Sequence, residues 1–203
     1  MKIAKLKRSV IVILLLATSF WIYVEVVNRN TRNMTVKQKV LKAIYPLFTS
    51  FNRLVRKNTQ VLTNKSNTKP PQSIYHLSVQ LNDGTRLSLD NLKGKKILLV
   101  NTASDCGYTG QYVELQKLYQ QHKEKLVIIA FPANDFQGQE QKTDEEIEKF
   151  CTLNFGVSFP LAAKSVVIRS PEQNEVYKWL TDKTKNGWSD QASSWNFSTA
   201  RSS

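Results

Sequence analysis

Three kinds of hydrophobic pattern follow one another along the chain. From Val10 to Val24 the run VIVILLLATSFWIYV is apolar on every side, and Val26 and Val27 extend it past Glu25. A spanning helix needs about 20 apolar residues, a length reached when the run is counted through Val27 with Glu25 at head-group depth. Residues 1–27 therefore read as an anchor or signal segment. A cleaved signal peptide shares the basic start of Lys2, Lys5, Lys7 and Arg8, but no small-x-small site follows cleanly. A buried helix is the third reading of the same run.

From Val36 the pattern changes. Val36, Val40, Ala43, Ile44, Leu47, Phe48, Phe51, Leu54 and Val55 recur at steps of three and four with basic residues between them. This predicts an amphipathic helix, kinked at Pro46, that lies on a membrane surface or docks on the domain that follows. Asn58 to Ser73 is polar, ends in two prolines and reads as a linker.

The third pattern is that of an α/β domain. Ser78–Leu81 and Thr85–Leu89 flank Asn82-Asp83-Gly84, which predicts a hairpin. Ile97–Asn101 and Leu126–Phe131 are continuous apolar runs, as expected of strands buried on both faces. Between them a helix over 110–122 is predicted, capped by Thr109, with Tyr112, Leu115, Leu118 and Tyr119 inward. The three make a βαβ unit. Thr143 followed by Asp144, Glu145 and Glu146 predicts a capping box and a helix to about Leu153. A short strand over 165–169 and a helix near Asn174–Leu180 complete the pattern, so the domains divide as 1–27, 28–73 and 74–203.

Charge sharpens this division. Residues 1–71 hold 14 Lys or Arg against Glu25 alone, whereas residues 72–203 hold 15 basic and 15 acidic side chains, so the net charge of +13 sits beside the anchor. Nucleic-acid binding asks for basic residues on the folded domain, and none is expected here. Contact with anionic lipid and a solvated basic linker both fit. Basic residues on both sides of the apolar run give little orientation, and the N-terminus only suggests that the domain is extracytoplasmic.

Two cysteines bring in the chemistry. Cys106 follows a buried strand and precedes a helix by a few residues, where backbone N–H groups and the helix dipole favour a thiolate. Cys151 lies late in the helix that starts at Thr143, and by spacing alone it is a quiet core residue. Two cysteines 45 positions apart, with His76 and His122, form no metal-ligand spacing, so neither a metal nor another cofactor is expected.

At Asn101–Tyr112 the chain reads NTASDCGYTGQY, and further segments follow in order: LQKLYQ (115–120), LVIIAFPANDFQGQE (126–140), EEIEKFC (145–151), NFGVSFP (154–160) and WNF (195–197). Over roughly residues 74–197 this strongly resembles the glutathione peroxidase family. The resemblance implies a thioredoxin-like α/β fold and reduction of hydrogen peroxide and organic hydroperoxides. It also implies a site of Cys106, Gln139, Trp195 and Asn196, with Cys106 as the attacking residue. Cys151 matches the resolving cysteine of the thioredoxin-dependent branch, which makes thioredoxin or a similar dithiol protein the expected reductant, ahead of glutathione. An interface loop of tetrameric members is not found, so a monomer is expected.

Some positions depart from the family pattern. Asp105 replaces a common lysine or glutamate, and its charge is expected to raise the Cys106 pKa. Ala133 stands where many members have a cysteine, and Asp135 where an amide is common. Family members continue past WNF into two strands and a helix, whereas here STARSS follows Phe197. The expected fold is therefore thioredoxin-like but incomplete at the C-terminus, with an unprotected sheet edge and an uncovered face. The function expected is a single-pass, membrane-anchored thiol peroxidase. The alternative is a truncated, non-catalytic membrane-tethered redox sensor or scaffold.

Overall fold

The structure is a computed structural model in which residues 2–32, 34–55 and 64–201 are described, without the side chains of 2–5, 52–55 and 201. Helix α1 (Lys2–Val27) carries the apolar run, and its segment Leu6–Val27 is long and apolar enough to cross a membrane. Helix α2 (Val36–Val55) follows and continues through Pro46. The two helices pack together near their junction. The Tyr23 hydroxyl donates to the Ala43 carbonyl, Asn28 Nδ2 donates to the carbonyls of Val24 and Lys39, and Lys39 pairs with Glu25 at 3.5 Å. Of the predicted linker, residues 58–63 lie outside the described residues.

The domain starts with the expected hairpin, β1 (Ser78–Gln80) antiparallel to β2 (Arg86–Ser88). The βαβ unit forms as predicted: β3 (Lys96–Thr102), α3 (Gln111–His122) and β4 (Leu126–Pro132), with β3 and β4 parallel over seven residue pairs. Because strand side chains alternate between faces, the apolar runs feed two cores. Ile97, Leu99, Val127, Ile129 and Phe131 join Val79, Leu89, Val176 and Tyr177 on one side. Val100, Ile128 and Ala130 join Tyr112, Ile147, Phe150 and Phe155 on the other. Helix α4 (Asp144–Phe155) begins with the predicted capping box, in which Thr143 and Glu146 exchange side-chain and backbone bonds, and it ends at Gly156 in the left-handed conformation. Helices α5 (Glu175–Leu180) and α6 (Lys183–Asn186) follow.

Several expectations are corrected. The edge of β3 is not left bare: β5 (Thr199–Arg201) runs antiparallel to it, opposite Val100, Leu99 and Leu98. Both faces of the β3–β4 pair are also covered, by the two cores just described. Thr109 does not cap α3. Gly110 is the cap, and the Thr109 hydroxyl instead donates to the Cys106 and Ser104 carbonyls. Leu118 is exposed, and Gln116 takes the inward place through paired bonds with Ser158. Residues 165–169 form no strand, because their N–H groups bond to loop acceptors, Ser165 to the Pro132 carbonyl and Val167 to Asp135 Oδ2. The sheet order β4–β3–β5, a parallel pair flanked by an antiparallel strand, gives the thioredoxin-like fold that was expected.

Candidate functional site

Cys106 sits in the loop between β3 and α3, the position at which a parallel strand delivers its next residues to a helix N-terminus. Three separate segments hold this loop. Glu140, fully buried, accepts from the Ser104 N–H at 2.7 Å and the Ser104 hydroxyl at 2.8 Å. The Asp105 N–H donates to the Gln139 carbonyl at 3.0 Å. The Trp195 side chain lies beside the thiol. From the N-terminal side, α2 sets Gln38 Nε2 2.5 Å from Asp105 Oδ1 and Lys37 Nζ 3.7 Å from its other oxygen.

Gln139 is brought to the loop by two consecutive left-handed residues, Gln137 (φ 55°) and Gly138 (φ 62°). Such a turn is open to glycine without steric cost, and Gln137 adopts the conformation at some cost in strain. The Gln139 carbonyl oxygen Oε1 accepts from Asn196 Nδ2 at 3.2 Å, and Asn196 Oδ1 accepts from Asn101 Nδ2 at 3.2 Å. Asn101 also donates to the Trp195 carbonyl at 2.9 Å. This amide chain fixes which way each side chain faces. With Gln139 Oε1 engaged, its NH2 group is directed as a donor. The structure thus places Cys106, Gln139, Trp195 and Asn196 around one loop, although they come from positions up to 90 residues apart (196 − 106).

Burial pushes the Cys106 thiol above its usual pKa. The Tyr108 N–H at 3.5 Å, the Trp195 side chain and Lys37 all favour the thiolate, but desolvation outweighs them. The expectation of a depressed pKa from the helix end is therefore corrected for this covered form. The expected effect of Asp105 is also changed, because Gln38 and Lys37 take up its carboxylate. Cys151 is buried within α4 and shares the second core with Cys106, and both are free thiols. Burial pushes its pKa up to about 12, Glu140 adds to the shift and the Tyr112 hydroxyl beside it pulls the other way. Two surface hollows, one around Arg169, Lys178 and Asp190 and one around Asn82, Glu148 and Phe159, do not include Cys106.

A sequence profile of the family described as "Glutathione peroxidase" matches residues 74–181. The chain belongs to the glutathione peroxidase family. A Staphylococcus epidermidis protein named "Glutathione peroxidase homolog BsaA" is 41% identical over 127 residues, spanning 62% of this chain and 79% of that one. A Schizosaccharomyces pombe protein named "Glutathione peroxidase-like peroxiredoxin gpx1" is 42% identical over 124 residues, spanning 61% and 77%. A solved structure described as "Crystal structure of Trgpx in apo form" is 31% identical with a TM-score of 0.48, covering 64% of this chain and 78% of the other. Membership in the glutathione peroxidase family makes this protein an enzyme, a thiol peroxidase.

Three residues at the site were not singled out from sequence. Glu140 directly follows Gln139, and a carboxylate in an otherwise apolar and amide-rich motif was the available signal. Asn101 closes a buried strand, where a polar side chain needs a partner. Gln38 gave no signal beyond its place at the start of the Thr35-initiated helix, where it shares capping bonds with Thr35.

Proposed function

We propose that this glutathione peroxidase family member is a membrane-anchored two-cysteine peroxidase. Residues 1–27 act as the anchor, 28–73 as the juxtamembrane segment and 74–203 as a monomeric catalytic domain on the extracytoplasmic side. The Cys106 thiolate attacks the terminal oxygen of a hydroperoxide. An S–O bond forms as the O–O bond breaks, and the departing hydroxide or alkoxide takes a proton and leaves as water or alcohol. Gln139, Trp195 and Asn196 are the donors that stabilise the thiolate and the charge on the leaving oxygen.

Cys151 then attacks the sulfenic sulfur. The S–S bond forms, water departs, and a dithiol protein of the thioredoxin kind reduces the disulfide while becoming oxidised itself. A disulfide needs Cα atoms within about 7 Å, so the end of α4 shifts or unwinds for this step. The observation that supports the reading best is that the Trp195 side chain meets the buried Cys106 thiol, while the Asn101–Asn196–Gln139 amide chain ties Asn196 and Gln139 to the same loop.

The test is peroxide consumption by the full chain with a thioredoxin system, or with glutathione in its place. Turnover with thioredoxin that Cys106→Ser abolishes and Cys151→Ser severely reduces is expected. Undiminished thioredoxin-dependent turnover in Cys151→Ser refutes the two-cysteine cycle. Greater turnover with glutathione than with thioredoxin refutes the reductant.

A further inference from the structure

Helix α2 lies directly over the loop that carries Cys106. The Gln38 amide donates to Asp105 and, at 3.4 Å, to the Ser104 carbonyl. Leu41 meets the backbone at Gly107, where a Cβ would lie 3.9 Å from its Cδ2. Tyr45 packs against Gly110 so closely that a Cβ there would stand 2.9 Å from the Tyr45 Cβ and nearer still to its ring. Phe48 stacks edge-on against Tyr108 at 5.5 Å. The same helix also grips the end of α4: Lys42 Nζ donates to the Asn154 carbonyl at 3.3 Å and stands over the Phe155 ring. Below this helix Cys106 has no exposed surface.

The segment has a second surface that it fits. Between Val26 and Pro71 the chain holds ten Lys or Arg and no acidic residue, whereas the domain it covers is balanced in charge. Val36, Leu47 and Phe51 of α2 are exposed apolar side chains, and Phe48 is partly so. Lys42 has its pKa lowered by burial in the docked position, so leaving that position returns it to a setting that favours its charge. The connection to α1, which is long enough to span a bilayer, is only the residues between Val27 and Val36, so insertion of α1 would hold α2 near the head-group surface.

We propose that α2 is a cover for the peroxidase site whose alternative partner is an anionic lipid bilayer. The inference rests on the reading that Cys106 is the attacking thiol. Leu41, Tyr45 and Phe48 cannot face the Cys106 loop and the acyl region together, so the two bound states compete. Anionic head groups draw the basic helix to the membrane, and Cys106 is uncovered. Release also frees the end of α4, the element that the resolving step must move.

The experiment uses full-length Cys151→Ser protein, in which Cys106 is the sole thiol, reconstituted into vesicles of phosphatidylcholine alone or with about a third phosphatidylglycerol. The readout is the rate of Cys106 alkylation by iodoacetamide at constant pH. A cover open in about 10% of molecules or fewer implies about a tenfold faster rate in the anionic vesicles. Gly110→Ala, whose added methyl displaces Tyr45, is expected to react at the faster rate in both vesicle types, and Tyr45→Ala provides an independent release. Equal wild-type rates in the two lipids, or both release variants remaining as slow as their parent in phosphatidylcholine, overturn the proposal. Lipid-dependent alkylation without peroxide turnover in the wild type leaves the cover standing and removes the catalytic reading instead.

Discussion

Cys106 and Cys151 are both fully buried in one core, but the means of burial differ. Cys151 is enclosed by its own helix, a regular element with a capping box at one end and a left-handed glycine at the other. Cys106 lies in an irregular loop whose shape depends on Glu140, Gln139, Trp195 and α2, none of them near it in sequence. The contrast separates two tasks. In the proposed cycle the attacking thiol needs converging donors and a removable cover, whereas the resolving thiol needs to stay protonated and enclosed until its helix opens.

Removing one thiol at a time separates the two sites by the largest effect. Cys106→Ser is expected to reduce peroxide turnover by at least about 10³-fold, because the loop holds no second thiol. A matching loss in the rate of the first oxidation for Cys151→Ser would erase the distinction between the two sites. Next in size is Gln139→Ala, expected to slow the reaction of Cys106 with peroxide about 10²-fold in stopped-flow measurement, the typical effect of losing one preorganised donor. A rate within a factor of about two of wild type would show that the amide chain does not aim that donor.

Glu140 ties the Cys106 loop to the stability of the fold. Burial raises its pKa above the ordinary carboxylate value, although the Ser104 bonds oppose the shift. The folded state therefore binds the proton more tightly than the unfolded chain, and the linked stability is present below the unfolded value and lost as pH rises through the folded one. The thermal midpoint of the wild type is expected to fall across that acidic window, and Glu140→Gln to remove this component. A steeper fall in the variant contradicts the assignment.

The smallest effect concerns α4. Thr143→Ala removes the capping box at a cost of about 1 kcal/mol, which favours opening of the helix by about fivefold. Disulfide formation after a single addition of peroxide is expected to become faster by up to that factor, followed by quenching and mass spectrometry. An unchanged rate indicates that the opening of α4 does not limit the step.

Elements with strong periodicity are legible in the amino-acid pattern itself: both buried strands, the hairpin, the capped α4 and the apolar α1. The motif order also singles out Cys106, Gln139, Trp195 and Asn196, which the fold gathers around one loop and which are proposed as the site. The harder features depend on tertiary contacts. Thr199–Arg201 is too short and too polar to announce a strand, and it becomes one only because β3 offers an unpaired edge. Thr109 has the right identity for a cap, yet the carbonyls of Ser104 and Cys106 compete for its hydroxyl. Desolvation of Cys106 is not legible because the covering helix lies more than 50 positions upstream, and an amphipathic pattern does not say which surface it meets.

The most direct test of the account is intact-mass analysis of the full-length protein after one equivalent of hydrogen peroxide, with peptide mapping of both thiols. The account predicts loss of two hydrogens and a single Cys106–Cys151 linkage, absent from either serine variant. Oxidation that leaves Cys106 as a free thiol, or that joins separate chains through it in place of the internal bond, contradicts the two-cysteine mechanism.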